Sequence, residues 1–176
     1  FRELIEKRRF LEWAEYQGHL YGTSREAVAE PVRMGIDVLL DAAHGPGIVP
    51  LDLTELDAAY CTGNCHKWIC APKGAAFLWV RKDLRTQVRP ATISHGANMP
   101  ETERSRFRHE FDWVGTTDPT AWLSVPKALS VMGSMLPGGW PEVMETNRAL
   151  VLQARAMLAD RLELERGLTD WHVSEG

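Results

Sequence analysis

Asp37-Val38-Leu39-Leu40-Asp41-Ala42-Ala43-His44-Gly45-Pro46-Gly47 decides how the rest of the chain is read. Val38, Leu39 and Leu40 make a compact apolar run of the kind a parallel sheet buries on both faces. His44-Gly45-Pro46-Gly47 breaks that run with a loop. Loops beyond the carboxyl ends of strands are where open α/β sheets place their ligands. Asp41 therefore sits where a strand presents a carboxylate to a binding site.

Downstream, residues 53–59 suit a short helix, residues 58–62 a second strand and residues 75–80 a third, reached through Pro72-Lys73-Gly74. Asp118-Pro119 reads as a helix start, with Asp as cap and Pro in the first turn. Trp122, Val125, Leu129, Met132 and Leu136 then form an apolar face, and Pro137-Gly138-Gly139 stops the helix. A long helix begins at Pro141, with Val143, Leu150, Ala154, Met157 and Leu158 mostly on one side. Residues 86–118, rich in Pro, His, Arg and Thr, are the least regular and suggest a long excursion over the sheet. Upstream, residues 1–9 read as a helix end. Residues 10–15 and 19–21 form two short strands around a Gln17-Gly18 turn. Ser24 caps a helix over residues 25–34 that Gly35 closes.

The 176 residues suffice for a substantial core, and 44% apolar with 25% charged content is ordinary for a water-soluble fold. A formal net charge of −4 gives no general footprint for nucleic acid. Arg104, Arg106 and Arg108 are a local basic triplet flanked by Glu101, Glu103 and Glu110, open to reading as a solvated face or an anion site. No apolar stretch approaches the roughly 20 residues that cross a bilayer, and no signal peptide is visible, so no membrane association is expected. Cys61, Cys65 and Cys70 are close together and odd in number, which suits a reducing cytoplasm better than a disulfide scaffold. Their spacing lacks the repeated close pair of a zinc site, and no metal is expected.

Lys67 follows Asp41 by 26 residues, within Cys61-Thr62-Gly63-Asn64-Cys65-His66-Lys67-Trp68. An acid at one strand end and a lysine beside the next suit pyridoxal phosphate, which works from a lysine Schiff base. Lys67 supplies the amine and can move a proton at the substrate Cα. Asp41 can keep the pyridine nitrogen protonated, and His44 can donate to the phenolic oxygen or lie near the ring. Asn64 and His66 flank the lysine and are placed for the phosphate. Without further information the same residues also read as a capping Asp, a surface Lys and a loop His.

Five ordered blocks extend the pattern. They are residues 40–47, residues 60–68 with Ala71-Pro72-Lys73-Gly74, Ile93-Ser94-His95-Gly96, residues 110–119, and Pro137-Gly138-Gly139-Trp140-Pro141. Across about residues 38–161 they resemble the class V aminotransferase family, in its isopenicillin N epimerase-like branch. The resemblance implies a partial large domain of a fold-type I transferase, a three-layer α/β fold, over residues 38–176. It implies Lys67 as the Schiff-base lysine, Asp41 on the pyridine nitrogen and His66 on the phosphate. Family members often carry Ser or Thr where Asn64 stands, and its amide can still donate. Gly115 and Thr116 resemble a pair that reaches the phosphate in a neighbouring subunit, so a homodimer is implied. The expected activity is racemisation, transamination or related chemistry at Cα of a small amino-acid-like substrate. Epimerisation would need a second acid–base group that the sequence does not identify. Desulfuration by a nucleophilic cysteine is disfavoured, because burial is expected for all three cysteines. Members of this family run to roughly twice this length, with a ring-stacking aromatic upstream and a carboxylate-binding arginine in a C-terminal domain. A chain ending at Gly176 is therefore expected to capture cofactor weakly and turn over poorly, and an inactive fragment or fusion product is the alternative.

Residues 1–37 carry a different pattern. Phe10-Leu11-Glu12-Trp13-Ala14-Glu15, Gly18, Tyr21-Gly22-Thr23 and the helix leading to Gly35 resemble the nucleotide-monophosphate region of guanylate kinase, a short α+β segment. The resemblance implies that Glu12 and Thr23 bind the guanine of GMP and that Tyr21 lies against its phosphate. No G-x-x-x-x-G-K-[ST] loop occurs in the sequence, and the acid expected two residues beyond Asp41 is Ala43, so GMP binding without phosphoryl transfer is the expectation. The chain changes identity at residues 38–41, as a gene fusion, an assembly artefact or a deliberate chimera would each produce.

Overall fold

In the computed structural model the chain is a mixed α/β protein whose described residues form two three-stranded sheets. The structure describes residues 1–16, 18–100, 102–162 and 172–173. Contacts divide it into two units, Phe1–Asp37 with Thr146–Gly176, and Val38–Glu145.

In the first unit, α1 (Arg2–Glu6) leads to β1 (Phe10–Tyr16) and β2 (His19–Ser24), which pair antiparallel. Phe10 is buried beneath Phe1, their rings stacked with centroids 4.3 Å apart. Ser24 ends β2 and begins α2 (Arg25–Arg33), its hydroxyl accepting the Ala27 N–H at 3.1 Å. Gly35, at φ +77°, reverses the chain so that the Ile36 N–H returns to the Pro31 carbonyl. The expected cap and stop of this helix are thus both present. Gln17 of the expected turn lies outside the described residues, and Gly18 has φ +76°. The short strand β6 (His172–Val173) pairs with β1, a partnership with no local signal.

The second unit holds the sheet β3 (Leu39–Asp41), β4 (Tyr60–Asn64) and β5 (Ala76–Val80), in that order. β3 and β4 run parallel, and β4 and β5 antiparallel. Small residues alternate inward along β4, where Cys61 and Gly63 are buried. Opposite Gly63 stands Phe77, whose ring occupies the space a side chain at 63 would need. One core cluster joins Cys65, Ile69, Ala71 and Ala75 to Phe77, Ala121, Val125, Ala128 and Trp140. Another joins Ala59, Val80 and Leu84 to Tyr60, Val88 and Phe107.

Five expectations need correction. Among the described residues β3 is the outer strand of its sheet, and Val38 and Leu39 are 40% and 63% exposed, so this apolar run is not buried on both faces as its composition suggested. The helix expected from Asp118 is two, α5 (Thr120–Leu123) and α6 (Val125–Gly133). Pro126 has no N–H to give the Trp122 carbonyl, and the break falls at Ser124. Residues 86–118 contain α4 (Arg106–Asp112), fixed by the buried Glu110, whose carboxylate lies 2.7 Å from Arg89 Nε and 3.9 Å from Arg106 Nε. The long helix α7 (Gly139–Arg161) starts at Gly139 rather than Pro141; Val143 is buried, while Leu150, Met157 and Leu158 are exposed. The short helix α3 (Leu53–Leu56) forms where expected, capped by Asp52, and is shorter than its sequence suggested.

Candidate functional site

Parallel pairing decides the geometry. Leu40 stands opposite Cys61 and Asp41 opposite Thr62, so the carboxyl ends of β3 and β4 share one edge of the sheet. Asp41 ends the first strand and Asn64 the second, with His44 in the loop beyond one and His66 and Lys67 in the turn beyond the other. Asp41 Oδ1 accepts the Ala43 N–H at 3.0 Å, which orients the carboxylate along the loop. The Cys61 thiol is pushed above its ordinary pKa, first by burial and then by the negative charge of Asp41.

Loop and turn are tied together. The His44 Nδ1 accepts the Trp68 Nε1–H at 3.1 Å. Gly47, at φ +89°, packs so closely on the Trp68 backbone that a Cβ there would stand 3.0 Å from its carbonyl carbon. On the other side, His66 Nδ1 lies 3.0 Å from the Ala75 carbonyl oxygen. A carbonyl only accepts, so His66 carries its proton on Nδ1, and its Nε2 can donate only when the ring is charged. The two neutral histidines thus differ at Nε2, which donates on His44 and accepts on His66. The turn is closed by the Cys65 and His66 N–H groups, both donating to Ala75, and by the Ala71 N–H donating to Cys65. Lys67 is half-buried, and its ammonium forms no salt bridge with a carboxylate among the described residues.

Of the other expected residues, Gly115 has φ +117° and lines a cavity of about 1180 Å³ with Lys73, Gly74, Phe77 and Trp122, while Thr116 is exposed. Asp41, His44, Asn64, His66 and Lys67 do not line that cavity. A second cavity of about 840 Å³ is lined by Arg85, Arg104, Arg108, His95 and Asp112 among others. Arg104 and Arg108 both pair with Asp112, at 3.8 and 3.4 Å, and Arg106 faces Glu110, so the basic triplet has internal counterions. In the first unit, Glu12 stands opposite Thr23 and Ala14 opposite Tyr21, alternate pairs of one ladder. Burial was expected for all three cysteines; Cys61 and Cys65 are buried, whereas Cys70 is exposed at φ 61°, where the turn doubles back. Among the described residues no group of three or more His, Cys, Asp or Glu is placed to hold a metal, and no helix is long and apolar enough to cross a membrane. Trp68 is the residue the sequence reading missed; its position directly after Lys67 was the available signal.

Comparison with known proteins gives two results. Residues 1–60 match the guanylate kinase family, a stretch that runs past Asp41 to the start of β4. The chain is 34% identical over 148 residues to isopenicillin N epimerase of Amycolatopsis lactamdurans, covering 79% of this chain and 35% of that protein. The epimerase of Streptomyces clavuligerus is 30% identical over 146 residues, with 77% and 36% covered. An L-cysteine desulfhydrase of Arabidopsis thaliana is 31% identical over 150 residues, with 78% and 31% covered. The resemblance to the isopenicillin N epimerase-like branch therefore holds over most of the chain, and it extends to L-cysteine desulfhydrases. The chain spans about a third of the length of these curated relatives.

Proposed function

We propose that the second unit is the cofactor-bearing part of a pyridoxal-phosphate enzyme acting on a small amino acid, by epimerisation or by elimination of the desulfhydrase kind. The observation that carries this reading is the shared strand edge, with a carboxylate at the end of β3 and a lysine just beyond β4. The donor set fits the cofactor. Asp41 would accept from the pyridine N–H, Lys67 would give the amine that holds the aldehyde carbon, Asn64 would donate to the phosphate through its amide, and His66 would donate to it through Nε2 as an imidazolium. Bound there, the cofactor would supply an electron sink for a bond broken at Cα. Lys67 Nζ would take the Cα proton; elimination would hand that proton to the departing sulfide, and epimerisation would need a second acid on the opposite face of Cα. An elimination that expels sulfide needs no cysteine nucleophile, so the raised pKa values of Cys61 and Cys65 do not oppose it. Gly115 and Thr116 would complete the phosphate site of a partner subunit in a homodimer. A fold-type I, three-layer arrangement and a reducing cytoplasmic setting belong to the same reading.

The test is a titration of the full chain with pyridoxal phosphate beside Lys67→Ala. The reading expects a visible absorption band that borohydride removes and that the variant lacks. The same band in the variant would refute it. A second reading applies to the N-terminal stretch: the register that sets Glu12 opposite Thr23 and the match over residues 1–60 support GMP binding without phosphoryl transfer. Calorimetry with GMP on wild type and Glu12→Gln tests it, and equal heats in both would dismiss it.

A further inference from the structure

We propose that Trp68 is a positioning residue that fixes His44 as a hydrogen-bond donor through Nε2. The indole nitrogen has one proton to give and no lone pair to offer. Its 3.1 Å contact with His44 Nδ1 therefore requires that nitrogen to be bare. A neutral imidazole carries one proton, which must then be on Nε2. The two rings are tilted by 55° with centroids 6.5 Å apart, so the contact is an edge-on hydrogen bond and not a stack.

The backbone holds this pair in place from both sides. Pro46 is buried, Gly45 donates to the Ala42 carbonyl at 2.9 Å, and Ile48 and Val49 both donate to Gly45. Gly47, at φ +89°, lies against the Trp68 backbone, where a Cβ would come within 3.0–3.1 Å. The His44 loop is thus docked on the turn that carries Lys67, and the Nε2–H is aimed by a fixed neighbour. Its target would be an oxygen acceptor on whatever occupies the strand edge. That identity rests on the cofactor reading above and would be the phenolic oxygen; the tautomer does not depend on it. Trp68 thereby turns His44 from a ring that can either stack or donate into one that donates.

The experiment is ¹⁵N–¹H correlation spectroscopy on the full cofactor-free chain, at a pH where imidazole is neutral. A bare Nδ1 and a protonated Nε2 on His44 are expected. Hydrogen exchange of the Trp68 indole proton should speed up about fivefold in His44→Ala, the factor that a bond of about 1 kcal/mol corresponds to. A proton on Nδ1, or an exchange rate indifferent to His44, overturns the proposal. A second arm compares pyridoxal phosphate retention in wild type and Trp68→Phe, which keeps the ring volume and removes the donor. Several-fold weaker retention, with borohydride trapping still at Lys67, is expected. Equal retention would refute the positioning role while leaving the cofactor reading intact. No uptake by wild type would refute both the cofactor reading and the role toward it, while the spectroscopic arm still decides the tautomer.

Discussion

Gly63→Ala tests how the site is braced. Gly63 lies on β4 between Thr62, which faces Asp41, and Asn64, and its backbone is not in the left-handed region. A methyl group there would fall 2.6 and 2.7 Å from Phe77 Cε1 and Cζ, and 2.9 Å from Pro46 Cγ. Carbon atoms settle about 3.5–4.0 Å apart, so the new group intrudes by about 1 Å. Overpacking of this kind costs about 1–3 kcal/mol, while replacing glycine by alanine returns about 0.4–1 kcal/mol by restricting the unfolded chain. The net expectation is a loss of about 1–2 kcal/mol. In urea that lowers the midpoint by roughly 0.5–1.5 M. Tryptophan fluorescence can follow it, since Trp68, Trp79, Trp113, Trp122 and Trp140 all lie within residues 38–145. Phe77→Leu removes the two ring atoms in conflict, so it should be less damaging in the Gly63→Ala background than alone, with a coupling of about 1 kcal/mol. A neutral Gly63→Ala, or additive effects of the two changes, would refute the proposed packing of loop, strand and ring.

Other consequences concern the cysteines and the loops. Cys70 is exposed and should be alkylated first, with Cys61 and Cys65 following only at higher pH because burial raises their pKa values; peptide mass spectrometry reads the order. Since the folded chain holds those two thiol protons more tightly than the unfolded chain, stability should fall as pH rises above the ordinary thiol range, and replacing both by alanine should flatten that limb. Asp41→Asn removes the charge that helps raise the Cys61 pKa, so it should speed alkylation of Cys61 and leave Cys65 unchanged. Asp118 is held below the usual carboxylate pKa, first by the Thr120 backbone N–H and then by its side chain. Its contribution is present above the unfolded carboxylate range and is lost as pH falls through the folded value, so Asp118→Ala should be less stable at neutral pH and indistinguishable in acid, as thermal melts at both pH values would reveal.

What the sequence revealed and what it hid follow from the range of the forces involved. The cap at Ser24, the reversal at Gly35 and the turn at Pro72-Lys73-Gly74 are settled by neighbours, and the elements around them formed within a few residues of expectation. The burial of Cys61 and Gly63 suits small residues facing Phe77, but that pairing is visible only once β5 folds back on β4. Asp41 and Lys67 were legible as residue types; their place on one edge depends on the parallel register of β3 and β4, which no local signal fixes. Leu39 shows the limit most clearly, because apolar composition states a preference for burial and only an element packed over that face of the sheet can satisfy it. α4 was hidden in a Pro- and Arg-rich stretch because Glu110 is fixed by Arg89, from well before the helix. The Trp68–His44 bond was hidden for the same reason, joining residues 24 apart.

The measurement that tests the central claim most directly is reductive trapping followed by peptide mapping. The full chain is mixed with pyridoxal phosphate, reduced with borohydride, digested and sequenced by mass spectrometry. A stoichiometric pyridoxyl group on Lys67, lost in Asp41→Ala at limiting cofactor, is the predicted result. Labelling spread over Lys73, Lys82 and Lys127 with no preference for Lys67 would contradict the account.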